Sequence, residues 1–185
     1  MQTPPTPSYL LGLCLVLLLT LPAGSAHAAS AKEIDIKVDA SLERFKEEVQ
    51  GGAAFLESAS GVLVFPDVVK AGFGIGGEYG EGALRINGEN VAYYNTASAS
   101  IGFQFGGQFR TVMLVFLESD ALQDFRNSDG WEVGVDGSVA LVELGAGKDI
   151  SSRSFDKPIV GFVFSNKGFM YNLTLEGSKI TRLDK

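Results

Sequence analysis

The hydrophobic pattern of the chain changes near residue 30 and again near residue 60. Residues 10–21 form an apolar block, and residues 31–50 repeat apolar side chains at spacings of three and four with charged residues between them. That spacing predicts an amphipathic helix, and Gly51-Gly52 is expected to end it before a second short helix over 53–59. The predicted helical stripe consists of Ile34, Val38, Leu42, Phe45 and Val49. After Ser60, short apolar runs broken by glycine are typical of strands.

The β-rich part, residues 60–185, is expected to form a curved sheet. Asn87-Gly88 predicts a tight hairpin turn. Pro66 is expected to end the first strand, and Gly106-Gly107 is expected to separate the strands 98–105 and 109–117. A short helix is predicted over 119–127 with Ser119 as its N-cap, and 145–157 is expected to be a loop. The predicted strands are 61–65, 73–79, 82–86, 91–94, 98–105, 109–117, 131–135, 138–144, 159–165, 169–175 and 178–183.

Together these elements predict an α+β fold. An N-terminal amphipathic helix would pack on a curved, glycine-rich antiparallel β-sheet, either barrel-like or a sandwich. The strand at 109–117 is apolar on both faces and is expected to be central, and 159–183 should form an antiparallel meander. We predict one domain over 29–185, with a helical segment at 29–59 and a β-rich core at 60–185.

The apolar block near the start is typical of a signal peptide. Pro22 and Gly24 follow it, and Ala26-His27-Ala28 supplies the small residues that precede a cleavage site. The block is shorter than the roughly 20 residues that span a bilayer. We therefore predict that residues 1–28 are removed and that the protein is exported, to the periplasm of a bacterium, with an uncleaved anchor as the alternative. Cys14 follows Leu13 rather than a small residue, so lipid attachment there is not expected.

Loss of residues 1–28 would remove the only cysteine and the only histidine, while the formal net charge stays at −7. Catalysis by Ser-His-Asp or Cys-His groups and zinc binding by Cys/His are then excluded. The acidic balance argues against a nucleic-acid partner and against purely electrostatic adhesion to anionic membranes. Glu78 and Glu81 are the remaining candidates for acid–base or cation chemistry, but no activated nucleophile or acidic loop accompanies them. We expect a non-enzymatic protein without a cofactor or a metal site.

A glycine run distinguishes residues 72–82, with Phe73, Ile75 and Tyr79 between the glycines. So much bare backbone indicates sharply bent strands or close approach of main chains. The run contains the spacing of a dinucleotide-binding loop, but no helix is predicted after it, as that motif requires. The glycines expected to be structural are Gly72, Gly74, Gly76, Gly77, Gly80 and Gly82.

Three basic residues lie among apolar neighbours in the predicted strands. Lys70, directly before the glycine run, is either an ordinary surface lysine or a group that meets a phosphate or carboxylate head group while its stem packs. Arg85 and Arg110 are expected to form ion pairs with Glu78, Glu81 or Glu118.

Several blocks resemble the SYLF domain family and occur in that family's order. They are 61–66, 69–77, 79–82, 92–94, 102–108 and 131–139. The resemblance covers most of residues 31–185 and implies a lipid-binding module; bacterial relatives are mostly small exported proteins. Lys70 matches the lysine of the family signature. The segment before Ser60 departs from eukaryotic relatives, because its charges are mixed rather than basic.

These observations lead to one preferred function and one alternative. The preferred function is a non-enzymatic lipid- or membrane-binding module of the cell envelope. It would insert an apolar face near the glycine run through Phe73, Ile75 and Tyr79, with Lys70 beside the head group. The alternative is a structural or assembly protein of the envelope, in which strand edges or the helix bind another protein or a second copy of this chain.

Overall fold

A computed structural model describes residues 29–143, 150, 155–168 and 177–185. Within these ranges, residues 72–75, 100–108, 143 and 165–168 are described by their backbone alone. The predicted signal peptide, the strand predicted at 169–175 and most of the loop predicted at 145–157 lie outside the described residues.

The two N-terminal helices follow the predicted pattern closely. Helix α1, Ala31–Glu48, begins after Ser30, whose Oγ accepts a hydrogen bond of 3.2 Å from the Glu33 N–H, as an N-cap residue does. The predicted stripe is confirmed, since all five of its members are buried. Helix α2, Gly52–Glu57, follows after Gly51 in a left-handed conformation.

One six-stranded sheet forms the rest of the described fold, with the order β3-β6-β2-β5-β4 and β1 paired to β2. Helix α3, Ser119–Asn127, lies between β2 and β3. The strands are β1 Gly61–Ile86, β2 Glu89–Phe116, β3 Trp131–Glu132, β4 Val139–Glu143, β5 Ile159–Gly168 and β6 Lys179–Leu183. All pairs are antiparallel except β4 with β5, which is parallel. The prediction of an entirely antiparallel sheet is therefore wrong at that pair, where the long 144–158 connection lets the chain return in the same direction.

Strands β1 and β2 form a single long hairpin in place of the six shorter strands predicted there. Its turn is confirmed: Asn87 and Gly88 have φ of 52° and 84°, as a type I′ turn requires. Pro66 does not end β1, because it lies at an irregularity in the pairing between Phe65 and Val68, where a missing N–H is tolerated. Gly106-Gly107 is not a turn either, since both residues pair with β1.

The hairpin bends back on itself, so that the two halves of β1, residues 61–71 and 78–86, contact each other. Fully extended, the chain from Val64 to Gly82 would span about 60 Å. Instead, a Cβ built on Gly82 would lie 2.0 Å from the Val64 carbonyl oxygen, and one on Gly80 would lie 2.8 Å from Val68 Cγ2. Only glycine allows this approach. We call residues 72–77 of β1 and 99–106 of β2, which pair with each other, the hairpin bend.

The bend curls the sheet, and as a result the two halves of β2 pair with different strands. Residues 108–116 pair with β5, and residues 93–97 pair with β6. The prediction of a helix on a curved sheet in an α+β fold is confirmed, and so is the central position of 109–117, which pairs on both edges with β1 and β5 and is largely buried.

Two hydrophobic clusters hold this arrangement together. In the first cluster, on one face of the curled sheet, Leu63, Leu84 and Leu114 pack with Phe125 of α3 and with Trp131. On the other side, the stripe of α1 packs on alternate residues of β1, β2 and β5. Because neighbouring strand residues point to opposite faces, each of these strands contributes to both clusters.

Some predicted element boundaries differ from the structure. Helix α3 buries Leu122 and Phe125, but its N-cap is Glu118 rather than Ser119. Strand β3 is short because the chain turns after Glu132, whose N–H donates a hydrogen bond of 2.7 Å to the Asp136 carboxylate. The predicted end of a strand at residue 165 is wrong, since β5 continues to Gly168 and pairs there with β2.

Candidate functional site

The predicted lipid-binding residues lie at the hairpin bend or directly beside it. All four of them, and all six predicted structural glycines, belong to β1. At the bend, the backbone of Phe73 pairs with that of Phe105 and the backbone of Ile75 with that of Ile101. Lys70 and Tyr79 flank the bend on either side. The site assignment itself stays a prediction.

Lys70 is buried in an ion cluster beneath the bend. Its side chain is 5% exposed, and Nζ lies 2.9 Å from Glu78 Oε1. The other carboxylate oxygen, Glu78 Oε2, accepts from Arg110 Nη2. The interpretation of Lys70 as a surface lysine is therefore wrong, and the predicted Arg110–Glu78 pair is confirmed. Contact between Lys70 and a lipid head group, which stays a prediction, would require the lysine to leave Glu78.

This ion cluster joins three parts of the hairpin. Lys70 comes from the first half of β1, Glu78 from the second half, and Arg110 from β2 opposite Val68. A carboxylate shared by two buried cations is costly to separate from them. The cluster therefore opposes opening of the bend.

Tyr79 and Glu81 form a second cluster on the outer face of the hairpin. Tyr79 is 49% exposed, and its hydroxyl donates a hydrogen bond of 2.7 Å to Glu81 Oε1. Partial burial, together with the Glu81 carboxylate, raises the pKa of Tyr79 to about 12. Lys185 Nζ lies 2.8 Å from Glu81 Oε2. Burial acts to raise the pKa of Glu81, but hydrogen bonds from Lys185, Tyr79 and the Ala29 backbone outweigh it, and that pKa is lowered.

An exposed apolar pair beside the bend was missed by the sequence reasoning. Val69 and Phe109 are direct cross-strand partners and are 39% and 52% exposed. A directly opposed pair of this kind forms a continuous apolar surface. The sequence could have indicated this exposure, because side chains alternate between the two faces of a strand. If Val68 and Lys70 face inward, Val69 must face outward.

Polar contacts connect helix α1 to the turn end of the hairpin. The Asp35 carboxylate accepts from Asn90 Nδ2 at 2.7 Å and from the Tyr93 hydroxyl at 3.0 Å. Burial and the Asp35 carboxylate raise the pKa of Tyr93. Arg85 pairs with Asp39, so its predicted glutamate partners are wrong. The signal that was overlooked is the spacing of Asp35 and Asp39, one helical turn apart beside the apolar stripe.

A groove of about 390 Å³ lies between α1, α2 and the hairpin turn. Leu42, Leu56 and Val62 form its apolar part, and Lys46 and Arg85 stand at its margin. Both cations are engaged within the chain, with Glu43 and Asp39 respectively. The groove therefore has an apolar part, and the two cations at its margin are already paired within the chain.

In the part of the chain that the structure describes, no helix has the length and hydropathy needed to cross a membrane. Among the same residues, no three histidine, cysteine, aspartate or glutamate side chains are grouped as ligands of a metal ion.

The fold and these clusters define an α+β domain built on one long, bent hairpin. The family model described as Ysc84, a Las17-binding protein actin regulator, matches residues 97–185, which include most of β2 and all later elements. This match agrees with the predicted resemblance to the SYLF family over that part of the chain. The family consists of binding domains rather than enzymes. No curated protein matches the chain.

Proposed function

We propose that this protein binds lipid membranes of the cell envelope through the hairpin bend and the exposed apolar side chains beside it. We call Val69, Phe109, Tyr79 and the hairpin bend the bend surface. The observation that carries the proposal is the exposed Val69–Phe109 pair, because large apolar side chains directly opposite each other at a surface favour contact with an apolar partner. Tyr79 adds an aromatic ring with a polar end, which suits a membrane interface.

The exposed pair alone would bind weakly. Burying the exposed parts of Val69 and Phe109 contributes about 2 kcal/mol, which is less than stable membrane association requires. The sequence of the bend adds Phe73, Ile75 and the apolar residues of 101–105. Membrane binding would therefore involve the whole bend surface, with Val69 and Phe109 at its margin.

Charge attraction has little part in this proposal. The chain is acidic, and the nearest lysine, Lys70, is paired with Glu78. Binding that rests on apolar contact persists when salt screens charges, whereas adhesion to anionic lipid weakens. Binding to phosphatidylcholine vesicles is accordingly expected to survive an increase in salt.

Vesicle flotation with the chain 29–185 tests the proposal. Replacing both Val69 and Phe109 by serine is expected to reduce the fraction bound to phosphatidylcholine vesicles by at least about fivefold, following the loss of about 2 kcal/mol of apolar contact. The matched control replaces Ile36 and Val135, which are 61% and 70% exposed elsewhere, and should bind like the parent. Equal binding by all three proteins, or no binding by the parent, would contradict the proposal.

The alternative, an assembly protein of the envelope, is supported by strand β4. Among the described strands, β4 pairs only with β5, and Leu141 on it is 42% exposed. Such an edge can add a strand from another chain. Sedimentation analysis distinguishes the two functions: self-association that is independent of lipid and is lost in Leu141→Lys favours assembly.

A further inference from the structure

The Glu81 carboxylate brings together three distant parts of the chain. Its side chain is 9% exposed and accepts from the Tyr79 hydroxyl at 2.7 Å and from Lys185 Nζ at 2.8 Å. Lys185 Nζ also donates to the Ala29 carbonyl oxygen, so Ala29 lies beside the carboxylate, and a backbone hydrogen bond from Ala29 contributes to the lowered pKa of Glu81. Lys185 thus links the Ala29 backbone to Glu81.

Ala29 is also the residue expected to become the N-terminus of the mature chain. The predicted signal-peptide cleavage site lies between Ala28 and Ala29. Hydrolysis of that bond by a signal peptidase consumes one water and leaves a carboxylate on Ala28. The freed amine of Ala29 takes up a proton, so that the nitrogen facing Glu81 changes from a neutral amide to an ammonium.

We propose that Glu81 is the binding site for the α-ammonium group of Ala29 that signal-peptide removal creates. A charge-assisted hydrogen bond to a carboxylate is stronger than one from a neutral amide, and the small exposure of Glu81 limits competition from water. The site is built before cleavage, since Tyr79 and Lys185 already orient the carboxylate. Cleavage therefore strengthens the contact between the start of the mature chain and the second half of β1, because the donor becomes charged.

This pairing has its own pH dependence. An α-ammonium paired with a carboxylate has a pKa above its unfolded value of about 7.7–8.0. The stabilisation is therefore complete below that value and is lost as the pH rises through the higher folded value. The charged and titratable side chains in contact with Glu81 in the described structure are Lys185 and Tyr79, and the phenol stays protonated because its pKa is about 12.

The experiment compares two chains made from fusions that leave no extra residue, one beginning at Ala29 and one at Ala28. Both carry all the described elements and the same net charge, but in the longer chain a neutral amide faces Glu81. Urea unfolding at pH 6.5 is expected to give an unfolding constant about fivefold smaller for the chain that begins at Ala29. That difference should shrink as the pH is raised well above 8.

Replacing Glu81 by glutamine in both chains completes a double-mutant cycle. The difference in unfolding constant between the chains that begin at Ala28 and at Ala29 should then disappear. Glu43→Gln, on an exposed carboxylate of α1, is the matched control and should leave the difference in place. Two results would overturn the proposal: equal stability of the two chains with Glu81 present, or a difference that Glu81→Gln does not change. Mass spectrometry of the full chain 1–185 after export provides a further test, because an N-terminus other than Ala29 would also overturn it.

The measurement is an unfolding equilibrium and involves no lipid. The pairing of Ala29 with Glu81 can therefore fail while membrane binding holds, and membrane binding can fail while the pairing holds.

Discussion

At the scale of single residues, the fold depends on positions where a side chain cannot fit. Gly82 lies against the Val64 carbonyl of the same strand, and Gly80 lies against Val68. Gly77 differs, because a Cβ there would lie 3.6 Å from the Ser98 carbonyl oxygen, an ordinary contact. The glycines of this strand are therefore not equivalent, although their sequence surroundings are similar.

Gly82→Ala is expected to destabilise the protein by about 2–3 kcal/mol, because the new methyl group must push the two halves of β1 apart. Gly77→Ala is the matched control. It should change the free energy of unfolding by less than about 1 kcal/mol, since it also reduces the freedom of the unfolded chain. Urea unfolding of both variants provides the measurement, and equal losses of stability would contradict the close-approach argument.

At the scale of elements, the ion cluster beneath the bend determines how firmly the long hairpin stays folded on itself. Lys70, Glu78 and Arg110 come from three strand segments and have less than a tenth of their side-chain surface exposed. An isolated hairpin of two strands is only marginally stable, so the halves of this one depend on contacts across the bend. The central carboxylate is the group that both cations share.

Replacing Glu78 by glutamine is expected to cost about 3–5 kcal/mol, because it removes the negative charge that lies between two buried cations. Glu43→Gln removes an exposed carboxylate paired with Lys46 and should cost less than about 1 kcal/mol. Thermal unfolding compares the two. Amide hydrogen exchange should show that Glu78→Gln speeds exchange first in residues 70–80; unchanged exchange there would refute the role of the cluster in holding the bend.

At the scale of the whole molecule, helix α1 and the ends of the described chain meet the two halves of the hairpin. The helix buries its stripe against the sheet and contacts the turn end through Asp35 and Asp39. Glu81 ties Ala29 and Lys185 to the second half of β1. The contacts of Glu81 make the stability of the domain sensitive to acid.

The direction of this pH effect follows from the lowered pKa of Glu81. The contribution of Glu81 to stability is complete above its unfolded pKa of about 4.3 and is lost as the pH falls through the lower folded value. The stability difference between the parent and Glu81→Gln should accordingly be constant from about pH 6 to 5 and shrink below about pH 4. Unfolding measured along this pH series tests it, and a difference that grows in acid would be incompatible with the assignment.

The parts of the fold that depend on local pattern could be predicted from the sequence. The apolar stripe of α1, the Asn87-Gly88 turn and the apolar run at 109–117 each follow from periodicity or turn chemistry, which act over a few neighbouring residues. The same holds for helix α3, which lies where a short helix is predicted over 119–127. The glycine run likewise indicates close approach of main chains, because residues without a side chain let backbones come together.

What only the tertiary structure decided is which distant residues meet. No local rule shows that β1 continues through Pro66, that Lys70 is buried against Glu78, or that Arg85 pairs with Asp39. These outcomes depend on where the hairpin bends and on which strand edge lies opposite. The sequence by itself therefore determined the α+β class, helices α1 and α3, and the turn of the hairpin. The contacts across the bend, the ion cluster and the exposed Val69–Phe109 pair were decided by packing, because burial and charge pairing depend on neighbours that are remote along the chain.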